Sequence, residues 1–164
     1  MIVHAVNRSA YGPLRGPTLT TSPPTDQLFG MTAPVLYLSF PGTAREALEF
    51  YADVFGGDLH LNTYAEFSRT DGPGGAIAHG VLSGGPVSLF GSDAAGGEPP
   101  VHIEGVLLSL LGTAEPDVLH RWFDRLAEGG AVINPLAPKS WGASDGQVVD
   151  RYGLRWLIGY EPAA

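Results

Sequence analysis

The chain has 164 residues, 44% of them hydrophobic, with 17 acidic against 9 basic side chains and a formal charge of -8. A single domain of that size buries a core without staples, and an acidic surface repels polyphosphate, so nucleic acid is not an expected partner. The absence of cysteine excludes disulfides, thiolate catalysis and Cys-ligated zinc, and no window approaches the ~20 consecutive apolar residues of a membrane span. The expected location is therefore cytoplasmic, with no membrane partner. Arginine outnumbers lysine, whose single copy is Lys139, and Ala and Gly abound, a bias of GC-rich bacterial genomes.

Residues 1–30 show neither helical nor strand periodicity and are rich in Pro, Gly, Thr and Ser. They are expected to form a poorly ordered extension. Met31 is an alternative start, because "MTAPVLYLSF" opens directly into a strand; a tail folded over a partner subunit is a further option. Residues 31–164 are expected to form one domain, with one module over 33–93 and a second over 101–160.

The first strand, "VLYLSF" (35–40), leads into "GTAREALEFYADVFGGDL", where Ala47, Leu48, Tyr51, Val54 and Phe55 recur at helical steps. Thr43 and Glu46 fit a capping box, and paired glycines end the helix through left-handed backbone. Strands "DLHLNTY" (58–64), "AIAHGVL" (76–82) and "PVSLFGS" (86–92) follow, and "DAAGGEPP" (93–100) is a linker. The pattern then repeats. "GVLLSLL" (105–111) precedes a helix carrying Val118, Leu119, Trp122, Phe123 and Leu126 on one face, with Pro116 in its first turn. "AVINPL" (131–136), "GQVVD" (146–150) and "LRWLIGY" (154–160) complete it. The expected fold class is α+β, two βαβββ modules forming a cleft-bearing paired sheet.

Two such modules, with "YLSFPGTAREALEFYADVFGG", "AHGVLSGGPVSLFGSD" and the run from "LLSLLGTAEPDVLHRWFDRLAEGG" to "WGASDGQVVDRYGLRWLI", resemble the vicinal oxygen chelate superfamily. That superfamily includes glyoxalase I, bleomycin-resistance proteins, fosfomycin-resistance enzymes and extradiol dioxygenases, and the resemblance is to its PhnB-like branch. The second-module stretch is the most specific: double glycine, "PL", "WG", then Asp-x-x-Gly-x-x-Trp. The resemblance implies a metal-binding His or Gln on the first strand of each module and Glu on the last. Here those positions fall at Leu36 or Tyr37, at Ser88, Leu89 or Phe90, near Leu107 or Leu108, and at Leu157. None offers the oxygen or imidazole donors a hard cation needs, so neither metal nor other cofactor is expected. The demethylubiquinone methyltransferase label often given to this branch finds no Gly-rich strand-turn-helix for an adenosyl cofactor.

Five residues are expected to line a ligand cleft: His79, Phe90, Trp141, Arg155 and Leu157. His79 reads either as a core histidine satisfied by one hydrogen bond or as a cleft group suited to anchoring a ligand or accepting a proton. Trp141 either stacks on a flat ligand or plugs the core. Arg155, on the face of Leu157, either grips a carboxylate or phosphate or sits in a cross-strand salt bridge. His102 and Glu104 read as a solvated pair or half of a metal site, His60 as the polar face of its strand, and His120 as surface. The expected function is small-molecule binding without the usual metal, in a homodimer by resemblance, with a cationic ligand suggested by the charge. The alternative is a metal-dependent lyase, isomerase or dioxygenase whose rearranged site uses His79 and His102 or Glu104.

Overall fold

The computed structural model describes residues 34–162, and the expectations for residues 1–30 and for a start at Met31 lie outside that span. The elements run β1 (Leu36–Phe40), α1 (Ala44–Phe55), β2 (Asp58–Thr63), β3 (Ile77–Ser83), β4 (Leu89–Asp93), β5 (Leu108–Leu111), α2 (Pro116–Ala127), β6 (Ala131–Pro138), β7 (Ser144–Val149) and β8 (Arg155–Tyr160). This is βαβββ twice, the α+β duplication read from the sequence. Each module builds its own four-stranded mixed sheet, in the orders β1-β4-β3-β2 and β5-β8-β7-β6. In both, the first strand runs parallel to the last and the other neighbours are antiparallel.

Both helices bury the stripes their periodicity implies. Leu48, Tyr51 and Phe55 on α1, and Leu119, Trp122 and Leu126 on α2, are almost inaccessible. Each helix covers one face of its own sheet, and the helices also touch each other. Phe55 meets Trp122 and Trp156 at ring-centroid distances of 5.3 and 5.1 Å, and Tyr51 meets Trp156 at 5.9 Å. One core therefore joins the two modules on their helical side, leaving the other face of each sheet without a helix over it. No helix among the described residues is long and apolar enough to cross a membrane.

The local sequence signals mostly act as read, with informative departures. Pro116 occupies the first turn of α2, where its missing N–H costs nothing. The α2 exit needs both glycines: Gly129 has φ 72°, and a Cβ on Gly130 would lie 2.2 Å from the Val149 carbonyl oxygen. The capping box expected at Thr43 and Glu46 does not form, since Thr43 makes no side-chain cap bond. Asp93 Oδ1, at the end of β4, accepts the Ala44 N–H at 2.8 Å instead. A carboxylate from the sheet replaces a local cap because β4 ends directly beneath the start of α1. Strands β4 and β5 begin later than expected, after Pro86, which has no N–H for the ladder, and after Gly105, whose φ of 70° is not extended.

Candidate functional site

The sheet register decides which side chains leave the core. On β3, a Cβ at Gly80 would strike Leu48 of α1, so Gly80 faces the helix and its neighbours His79 and Val81 face away. On β1 and β4, Leu38 and Leu89 are buried, whereas Tyr37 and Phe90 stand opposite each other on the helix-free face. These three rings form a cluster. Tyr37 stacks on His79 at 5.7 Å, Phe90 meets His79 edge-on at 5.9 Å, and the Tyr37 hydroxyl lies 3.2 Å from His79 Nδ1. His79 and Phe90 are thus brought together, and Tyr37 joins them as a partner that the sequence offered only as a metal-ligand position.

Partial burial holds the His79 imidazole below its ordinary pKa. The neutral ring shares one hydrogen bond with the Tyr37 hydroxyl through Nδ1. Because the folded pKa lies below the unfolded one, this histidine's contribution to stability is present above the unfolded pKa, near 6.5, and is lost as pH falls towards the folded value. Urea unfolding at pH 7.5 and at pH 5 should therefore show a smaller acid loss in H79F than in the parent; equal losses would remove His79 as a source.

On the second sheet, Arg155 and Leu157 alternate with buried Trp156 and Ile158 and so share the helix-free face. Arg155 Nη2 donates to Gln147 Oε1 on β7 at 2.6 Å. Its Nε is covered and has no acceptor among the described residues, an arrangement that costs about 1–3 kcal/mol. The expected cross-strand salt bridge of Arg155 does not form with any described residue; the ion pair of this sheet is Lys139 with Asp145, at 3.7 Å. Trp141 lies in the turn between β6 and β7 and is 69% exposed, so it does not plug the core.

The register also tests the fit of a metal. Tyr37 stands opposite Phe90, and Ser109, rather than core-packed Leu108, stands opposite Leu157. The four helix-free positions nearest those that hold metal ligands in the superfamily's enzymes thus carry phenol, phenyl, hydroxymethyl and isobutyl groups. Among the described residues, no three His, Cys, Asp or Glu side chains come together within one chain. The residues do not fit the group. His102 and Glu104 pair at 3.3 Å with side chains 82% and 85% exposed, the solvated reading of that motif. His120 corrects an expectation: it is half-buried, 3.1 Å from the Tyr160 hydroxyl, because β8 ends against this side of α2.

The Asp-x-x-Gly-x-x-Trp stretch has a structural use. Asp150 is 3% exposed; its Oδ1 accepts the N–H groups of Tyr152 and Leu154, and its Oδ2 accepts Tyr51 Oη–H and Trp156 Nε1–H, both at 2.8 Å. With all four bonds made, the carboxylate folds the β7–β8 corner and ties it to α1. Burial and this carboxylate push the Tyr51 phenol far above its ordinary pKa, so it remains a hydrogen donor.

Comparison with known proteins agrees with this architecture. Residues 36–158 match the family model of the Glyoxalase/Bleomycin resistance protein/Dioxygenase superfamily. Protein YjdN of Escherichia coli K12 is 27% identical over 135 residues, covering 74% of this chain and 90% of that protein. The crystal structure of PA1353 from Pseudomonas aeruginosa has a TM-score of 0.67 and 34% identity, covering 80% of this chain and 98% of that one. A PhnB protein from Bacillus cereus shares the fold at TM-score 0.66 and 22% identity, covering 77% and 98%. With a duplicated βαβββ fold and a family match running from β1 into β8, the chain belongs to the glyoxalase/bleomycin-resistance/dioxygenase superfamily, and PhnB-like proteins are among its structural neighbours.

Proposed function

We propose that this chain is a cytoplasmic small-molecule-binding protein that uses the helix-free faces of its sheets as a ligand cleft without the metal of its enzymatic relatives. The observation that carries this reading is the set Tyr37, Phe90, Ser109 and Leu157 at the helix-free positions, which exchanges metal donors for aromatic and aliphatic contact. His79, Phe90, Arg155 and Leu157 line these faces, and Trp141 adds an exposed indole in the adjoining turn. A homodimer belongs to the same proposal. Tyr37 and Leu111, on the helix-free faces, are 48% and 53% exposed, and Val132 and Ile133 of edge strand β6 are 49% and 46% exposed. A second copy seated on these side chains would cover them and supply a second wall to the cleft.

The test is metal analysis of the untagged protein together with native mass spectrometry. The expected result is a dimer with substoichiometric metal. A stoichiometric divalent ion that is lost in H79A would overturn the metal-free reading and restore the metal-dependent lyase, isomerase or dioxygenase. A monomer at micromolar concentration would remove the dimer.

A further inference from the structure

The second sheet holds one charge that the described residues do not answer. Its four strands contain a single carboxylate, Asp145, and that group is paired with Lys139. Arg155 begins β8 on the helix-free face. Of its donors, Nη2 reaches the neutral amide oxygen of Gln147, and the covered Nε reaches nothing described. Among the other described arginines, Arg45, Arg69, Arg125 and Arg151 each have a carboxylate partner and Arg121 is exposed to solvent, so Arg155 alone is both half-buried and without a carboxylate.

We propose that Arg155 and Gln147 form an anion subsite, taking the carboxylate or phosphoryl group of a small organic ligand whose apolar part lies along Val149 and Leu157. This rests on the small-molecule reading above and names the ligand's charge. The guanidinium is a planar fork matched to two oxygens of one anion, and charge-assisted bonds are about twice as strong as those to an amide. The fork turns off Gln147, uncovers Nε and exchanges one neutral acceptor for a charged one. Val149 stands opposite Arg155 and Leu157 follows it on the same face, so the surroundings select an organic anion over a small hydrated ion. The chain's net charge of -8 argues for a cation only at long range; on this sheet's strands the Asp145 carboxylate is paired with Lys139, which leaves the Arg155 charge over.

The experiment uses the full chain, isotope-labelled on arginine, and follows the Nε–Hε resonances by NMR during titration with benzoate, phenyl phosphate and neutral benzamide. The Arg155 resonance is assigned by its loss in R155K. It should move with benzoate or phenyl phosphate and stay still with benzamide, and R155Q should weaken binding of that acid by about tenfold or more. R155K, which keeps the charge and loses the fork, should fall between. The acid that binds more tightly identifies the carboxylate or phosphoryl source. The subsite is overturned if neither acid moves the resonance, or if R155Q binds as tightly as the parent. Nile red, a neutral apolar dye, separates this failure from the wider one: dye binding without any acid response removes the anion subsite alone, and no binding of dye or acid removes both readings.

Discussion

Replacing Asp150 with alanine should destabilise the protein by about 4 kcal/mol in urea unfolding, because it strands several buried donors at once. Tyr51 Oη–H and Trp156 Nε1–H would lose their shared acceptor inside the aromatic core, and the Tyr152 and Leu154 amides would lose the group that turns the β7–β8 corner. D150N keeps the volume and one acceptor oxygen and should cost about half as much. Y51F, which removes a single donor, should cost about 1 kcal/mol alone and almost nothing further in the D150N background, since the two groups form one unit. Additive losses would mean that the carboxylate holds the corner without bonding the modules together. A loss of about 4 kcal/mol is a large share of the usual 5–15 kcal/mol total, so D150A is expected to be only marginally folded.

The second large effect is expected at Asp93. This carboxylate, 7% exposed, accepts the Ala44 N–H at Oδ1 and the Ile77 N–H at Oδ2, each at 2.8 Å, while its main-chain oxygen accepts from Tyr64 Oη. It therefore anchors the start of α1 and the start of β3 to the end of β4. Asparagine at this position would turn an N–H towards one of those two amides. D93N should lower stability by about 3 kcal/mol, or roughly 6–12 °C in thermal melting for a domain of this size. T43A, at the position of the expected local cap, should change little, because Thr43 makes no cap bond. The reverse order of effects would reinstate the capping box.

Both predictions concern carboxylates in a fold whose enzymatic members use carboxylates for metal, and here both serve the backbone. That gives a physical account of the closing hairpin. Its strongest family signature, from Asp150 to Trp156, is a corner and an inter-module tie, while Arg155 and Leu157 face the other way, off the core. Signature and candidate site share a strand and point to opposite faces.

The duplicated element order, the helix stripes and the glycine pair at 129 and 130 were legible in the sequence. Each depends on a period or on a local backbone conformation, and these are carried by neighbouring residues. Which side chains of β1, β4 and β8 face away from the helices was legible to within one position for the same reason, since strand alternation limits which side chains face out. Other features depended on residues far apart in the chain. Asp93 caps a helix 49 positions upstream, Tyr51 reaches Asp150 across 99 positions, and Tyr37 meets His79 across 42. Sequence alone therefore determined the modules and their periodic core faces. Only the tertiary structure decided that the helices join the modules and leave the other face of each sheet uncovered by a helix, and that Arg155 stands half-buried without a carboxylate partner among the described residues. The reason is that a period fixes a direction relative to the element's own axis, whereas partners are fixed by where distant elements pack.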